Sequence, residues 1–358
     1  MSASAARPRG RLRLGVDGAN LTRDRRGMGR FVRSVLRAAL ADDGLELELL
    51  SLRRADDAAL EAELPGVRVR PASAAKTAGR YDAVWYPWNG VRFAAAAPSL
   101  VTVYDAFAFD EPARGWVARR REQEPIRRAA REATRISTIS AWSRERIVAR
   151  LEVARERIAV VPLAPDPFFF PGPADALPAE LRGRRFALLV GAREPRKNAR
   201  LALEACARAF RPGERLVVVG DLQAADAKAA RRLGLAAGSI AAGDDTLRSL
   251  YRSAGVVLVP SLAEGFGLVG VEALACGAPV LAANTSALPE ALAGLAPLLD
   301  PRDPEIWARE IRRVLDEPGY ASALRAGGVA RFAYADRGAP ARATLALLRE
   351  VAATVEAG

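Results

Sequence analysis

Short runs of β-branched and aliphatic residues recur along the chain, separated by longer segments whose apolar positions repeat every three to four residues. That alternation predicts parallel strands joined by crossover helices. In the first half, strands are predicted at LRLGVD (12–17), LELELLSL (45–52), DAVWYP (82–87), SLVTVYD (99–105), ISTIS (136–140) and IAVVPL (158–163). A helix is expected from about Met28, preceded by Gly27 and Gly29 and burying Phe31, Val32, Val35, Leu36 and Leu40. An Arg-rich helical region follows over 114–133, and Pro125 is expected to break it because proline lacks the amide that a helix interior needs.

PLAPDPFFFPGPADALP then interrupts the pattern with a density of Pro and Gly in which regular structure fails, placing a linker near 164–183. Alternation resumes with strands at RFALLVG (185–191), RLVVVGD (215–221), around SIAAG, VVLVPS (256–261) and APVLAA (278–283). Helices are expected over 198–210, 245–254 and 268–276, and throughout the tail from Pro304, where Leu345, Leu348 and Val351 share one face. The predicted architecture is α/β with two Rossmann-like domains, 1–170 and 171–335, and a C-terminal helix over 336–358 that can pack back on the N-terminal domain. Open sheets of this kind bind ligands beyond the carboxyl ends of their strands, so two of them imply a cleft between domains.

Composition narrows the chemistry. The 358 residues are 50% apolar and 27% charged, enough for two hydrophobic cores and unlike a disordered chain. There is no His, which removes Ser-His and Cys-His nucleophile systems, His-ligated zinc and imidazole bases. Cys206 and Cys276 stand in apolar helical contexts without metal-site spacing and read as reduced core residues. The formal charge of +12 is spread along the chain and carried almost wholly by Arg; Lys occurs only at Lys76, Lys197 and Lys228. No run approaches the roughly 18 apolar residues of a membrane span, and the basic start MSASAARPRGR lacks the apolar segment of a secretory signal. A cytoplasmic location follows as the expectation, including the inner face of the membrane.

The segment PSLAEGFGLVGVEALACGAPVLAANTSALPE (260–290) carries most chemical information. Glu264 follows a strand, Gly265, Phe266 and Gly267 make a turn, and a helix opens at about Leu268. Such a helix start favours phosphate, because its first amides lack intrahelical partners. Glu272 lies eight positions after Glu264, where a carboxylate can accept both hydroxyls of a ribose, while Glu264 can bind sugar hydroxyls. An anion site between two carboxylates suits a nucleotide-sugar. The plainer alternative makes Glu264 a helix cap and Glu272 a solvated helix residue.

This region resembles the E-x7-E segment of the retaining glycosyltransferases of family 4, which have the two-Rossmann GT-B architecture. GVDGANLTRDRRGMGRFV (15–32), VTVYDAFAF (101–109), STISAWSRERI (137–147) and VGAREPRKNARLALEA (190–205) match that family in the same order, most closely its bacterial mannosyltransferase-like branch. The resemblance implies that Lys197, with Arg196 or Arg193 beside it, binds the donor diphosphate and offsets charge as the sugar–phosphate bond breaks. It implies a catalytic set of Lys197, Arg196, Glu264, Tyr104 and Asp105. Donor contacts would come from Gly27, Gly29, Arg193, Gly265, Phe266, Gly267, Leu268 and Glu272. No metal is implied, because no Asp-x-Asp motif is present, and the only small-molecule partner is a nucleotide-sugar co-substrate, GDP-sugar favoured over UDP-sugar.

Three positions depart from the family pattern. Tyr104 stands where the family usually has His, Val269 where Pro is frequent and Asp336 where Trp is common before the final helix. A phenol can still donate and accept a hydrogen bond but cannot become a cation at neutral pH, so Tyr104 is expected to orient the sugar. The implied function is transfer of a hexose, mannose favoured, from a nucleotide-sugar to a cell-envelope glycan or lipid-linked acceptor. The alternative is a catalytically degenerate nucleotide-sugar-binding scaffold or regulator. The six Arg between 119 and 131, with Trp116, read first as a solvated helix face and second as a peripheral membrane contact. Nucleic acid is excluded for want of a recognition motif.

Overall fold

A computed structural model describes residues 10–110, 115–292, 294–333 and 335–354. The basic start 1–9, Arg114 at the head of the Arg-rich region and residues 355–358 of the expected last helix lie outside the described residues. The chain forms two compact units, Met1–Leu163 with Gly338–Gly358, and Ala164–Arg337.

The first unit holds a seven-stranded parallel sheet: β1 (Leu12–Asp17), β2 (Leu45–Ser51), β3 (Arg68–Pro71), β4 (Ala83–Tyr86), β5 (Ser99–Thr102), β6 (Arg135–Thr138) and β7 (Ile158–Val160), in the order β3-β2-β1-β4-β5-β6-β7. β4 and β5 are buried at every position, the mark of a strand covered by helices on both faces. The reversal of order between β1 and β4 makes a topological switch point at the end of β1, where Asp17 sits fully buried. The helix Ala339–Ala353 returns to this unit, burying Leu345, Leu348 and Val351 against the helix Gly27–Leu40 and against β4 and β5.

The second unit repeats the plan with β8 (Phe186–Val190), β9 (Arg215–Val219), β10 (Ala237–Ile240), β11 (Val256–Val259), β12 (Val280–Ala283) and β13 (Leu298–Leu299), in the order β10-β9-β8-β11-β12-β13, all parallel. Its switch point falls between β8 and β11. The loops after these two strands carry Arg196, Lys197 and Glu264. Two Rossmann-like units built on parallel sheets constitute the GT-B plan.

Three local expectations are corrected. Pro125 does not break its helix, which runs unbroken over Trp116–Glu132. The Pro125 carbonyl accepts the Val91 amide at 2.9 Å, which docks the helix on a neighbouring loop at the proline. Leu40 is 49% exposed, because it is the last helical residue and Ala39 takes the buried position instead. Gly27 and Gly29 belong to the first turn of the helix Gly27–Leu40 and do not precede it.

Candidate functional site

In the second unit the loop after β8 folds into a single 3-10 turn, Pro195–Lys197, ended by Asn198 in the left-handed conformation. The Asn198 side chain donates through Nδ2 to the carbonyls of Pro260 (3.1 Å) and Pro301 (2.9 Å), and the Arg196 carbonyl accepts the backbone amide of Leu262 at 2.7 Å. These bonds pin the turn to the loops after β11 and β13.

The Glu264 carboxylate lies across that seam. Lys197 Nζ donates to Oε1 at 2.7 Å, Ser261 Oγ donates to the same oxygen at 2.7 Å, and Arg196 Nη1 donates to Oε2 at 3.0 Å. Arg196 also reaches the Ala263 carbonyl at 3.1 Å and Glu194 at 2.6 Å. Ser286 Oγ accepts the Glu264 amide at 2.8 Å, so main chain and side chain are both fixed. Glu264 is buried; burial alone would raise its carboxyl, but Lys197 and Arg196 outweigh it and hold the group below the usual carboxylate range. Burial likewise opposes the Arg196 charge, and Glu264 with Glu194 restores and exceeds it. Two cations around one buried carboxylate satisfy the rule that buried charges are paired.

Beyond Glu264 the chain turns through Gly265, Phe266 and Gly267 into the helix Leu268–Ala275, whose N-cap residue, Gly267, has no side chain to cap it. Gly267 is required there: its φ is +100°, and a Cβ would lie 2.6 Å from Leu288 Cδ2. Glu272 is buried within this helix and accepts a hydrogen bond from the Tyr251 hydroxyl at 3.3 Å. Both plainer readings therefore fail, since Glu264 bonds cations where a cap would bond helix amides, and Glu272 is not solvated. Arg193 is exposed and its carbonyl accepts the Gln223 side chain, so Arg196 is the arginine that joins Lys197 at Glu264.

The remaining expected residues lie in the first unit. Gly29 packs so closely under the preceding loop that a Cβ would fall 1.9 Å from the Asp24 carbonyl oxygen. Arg33 holds the same loop, donating to the carbonyls of Asp24 (2.7 Å) and Leu21 while its Nε bonds Glu63 at 2.6 Å. Tyr104 follows β5 and packs edge-on against Phe31, with centroids 6.3 Å apart. Its hydroxyl is buried without a hydrogen-bond partner among the described residues, and burial raises it well above the ordinary phenol range. The sugar contact expected of this hydroxyl would have to be made from this buried position. Asp105 caps the next turn, its Oδ1 accepting the Phe107 amide at 3.1 Å.

Sequence reasoning missed Ser261, Ser286, Asn198 and Arg33. Ser261 had a weak signal, a hydroxyl three positions before Glu264; the others depend on contacts between distant segments. Among the described residues no cluster of three or more His, Cys, Asp or Glu is arranged to hold a metal, and no helix is long and apolar enough to cross a membrane. Cys206 and Cys276 are both buried, and burial pushes the Cys276 thiol up to about 12.

The family model for glycosyl transferases group 1 matches residues 178–330. The chain is 30% identical to a D-inositol 3-phosphate glycosyltransferase of Thermobispora bispora over 92% of its own length and 90% of that protein's. It is also 30% identical to the O-antigen chain mannosyltransferase B of Escherichia coli, over 55% of each chain. The Anabaena protein Alr3699/HepE, solved in complex with UDP and glucose, superposes with a TM-score of 0.70 over 97% of this chain and all of that one, at 18% identity. This chain belongs to the group 1 glycosyltransferases of GT-B fold. Across several of the curated relatives it matches, the chain spans about half of their length.

Proposed function

We propose that the protein is a retaining hexosyltransferase that takes its sugar, preferentially mannose, from a nucleotide-sugar and passes it to a cell-envelope glycan or lipid-linked acceptor. The observation that carries this reading is the Lys197–Glu264–Arg196 cluster beside the Gly265–Gly267 turn. Lys197 and Arg196 supply positive charge where a departing diphosphate gains negative charge, and the start of the helix Leu268–Ala275 adds its dipole. Glu264 holds both cations in place and presents the hydroxyl-binding edge, while Glu272 takes the ribose.

In the proposed reaction the bond between the anomeric carbon and the phosphate oxygen breaks. The acceptor hydroxyl attacks on the same face, and its proton passes to the departing phosphate oxygen. No His is needed for that step, since positioning and charge do the work. GDP is favoured over UDP as the carrier, with no metal. The mannosyltransferase relative supports the sugar, while the UDP and glucose bound to HepE make UDP-glucose the first competitor.

Trp116 is 74% exposed at the head of the Arg-rich helix, which supports peripheral contact with an anionic membrane that carries the acceptor. Liposome flotation tests this: binding that rises with anionic lipid supports it, and none at low salt removes it.

The buried Tyr104 hydroxyl is the one observation favouring the scaffold alternative. Acceptor-dependent release of GDP from GDP-mannose, with the new anomeric linkage read by proton NMR, decides between them. Release with retention supports the transferase. Tight donor binding without release from any nucleotide-sugar supports the scaffold.

A further inference from the structure

Tyr251 lies on the helix Asp244–Ser253 and is fully buried, yet it carries a hydroxyl where Phe would fill nearly the same space. A buried hydroxyl costs free energy unless it is bonded, and this one donates to Glu272 Oε2 at 3.3 Å. Its ring is held in turn by Phe169, which is also fully buried and meets it at 5.8 Å and 66°.

Phe169 is itself immobilised. Arg337 donates to the carbonyls of Phe169 (2.7 Å) and Asp166 (3.2 Å), and Arg248 stacks 3.9 Å over the neighbouring Phe168. Arg252, one residue after Tyr251, donates to the carbonyls of Phe170 and Pro173. The Pro- and Gly-rich segment is therefore clamped onto the helix that bears Tyr251.

We propose that Tyr251 is a positioning residue that fixes the Glu272 carboxylate for the ribose diol, so that the site prefers ribonucleotides to nucleotides lacking those hydroxyls. The inference rests on the assignment of Glu272 to the ribose. A glutamate side chain has several rotamers, and gripping two vicinal hydroxyls at once requires one of them; a second hydrogen bond that selects it before the ligand arrives lowers the cost of binding.

The test is calorimetric titration of the full chain with GDP and UDP and with their 2′,3′-dideoxy forms, for the native protein, Tyr251→Phe, Glu272→Gln and the double variant. Tyr251→Phe is expected to weaken the ribonucleotides about two- to ten-fold and to leave the dideoxy forms unchanged. In the Glu272→Gln background the same change is expected to cost much less. Equal weakening of ribo and dideoxy forms, or no weakening of either, overturns the role of Tyr251 while a native ribose preference keeps Glu272 in place. If the native protein binds ribo and dideoxy forms alike, or binds neither nucleotide, the assignment of Glu272 falls and this inference falls with it. Glu272→Gln alone, read against the native protein, tests the assignment of Glu272 even if Tyr251→Phe proves unstable.

Discussion

The Lys197 ammonium donates to Glu264 Oε1 at 2.7 Å, joining residues 67 apart in the chain. Lys197 is one of only three lysines in a protein that otherwise uses Arg. A compact ammonium meets the buried carboxylate there as a point charge, whereas a guanidinium would present a planar fork. Lys197→Met is expected to reduce donor-dependent turnover about 100-fold or more and stability by about 1–3 kcal/mol. Lys197→Arg should recover little of the activity. Steady-state turnover and thermal melting check this; a Lys197→Arg variant with native turnover would contradict it.

Glu264 gives the site a defined response to acid. Its folded-state carboxyl titrates below the ordinary value of 4.5, so its ionised form stabilises the fold above that pH. That contribution disappears as pH falls through the lower folded value. Glu264→Gln is expected to be less stable than the native protein at pH 7 and to lose less stability on acidification below pH 4.5. Denaturant titrations at pH 7 and below pH 4 measure the difference, and parallel curves for the two proteins would rule it out.

Asp17 behaves in the opposite sense. Burial outweighs the Ala19 amide and the distant Arg92, and pushes its carboxyl from 3.8 up to about 6. Oδ2 has no hydrogen-bond partner among the described residues, and Arg92 approaches only to 4.0 Å. Between these two values the folded state keeps a proton that the unfolded chain releases, so stability falls as pH rises. Asp17→Asn retains the acceptor for the Ala19 amide and is expected to be more stable at pH 7, by an amount on the order of 2 kcal/mol. The gain should vanish below pH 4; a gain independent of pH would place its origin elsewhere.

The buried Tyr104 hydroxyl makes a simple prediction. Removing a buried hydroxyl that has no hydrogen-bond partner among the described residues relieves a desolvation cost, so Tyr104→Phe should be as stable as the native protein or more so, by up to about 1 kcal/mol. Turnover should stay within about two-fold of native, because positioning and charge elsewhere carry the chemistry. A large loss of turnover at unchanged stability would return this ring to the sugar.

Most of the sheet framework could be read along the chain, and the exceptions have physical causes. Apolar runs such as FALLV and VVLV are strands buried on both faces, which no solvated segment resembles. β3, RVRP, escaped because it is a four-residue edge strand with Arg at two positions, and its Arg68 and Arg70 pair with Glu48 on β2. Pro125 misled because the helix Trp116–Glu132 continues through it, docked at that point on the loop carrying Val91, and tertiary packing of that kind lies outside any local rule. The site was legible as a set of residue types and as a family pattern. Its internal pairing was not, because spacing shows that Lys197, Arg196 and Glu264 can face a ligand but not that they grip one another. The choice between Arg193 and Arg196 likewise needed the turn Pro195–Lys197, which directs one arginine inward and leaves the other in water.

The central claim is that the second unit binds the donor through Lys197, Glu264 and Glu272. Thermal stability measured against a panel of GDP- and UDP-sugars, for the native protein and for Lys197→Met, tests it most directly. A ligand present at 100 times its dissociation constant adds about 2.7 kcal/mol to the native fold. GDP-mannose is expected to give the largest shift, and Lys197→Met to abolish most of it. A panel in which no nucleotide-sugar stabilises the native protein, or in which Lys197→Met responds as the native protein does, would contradict it.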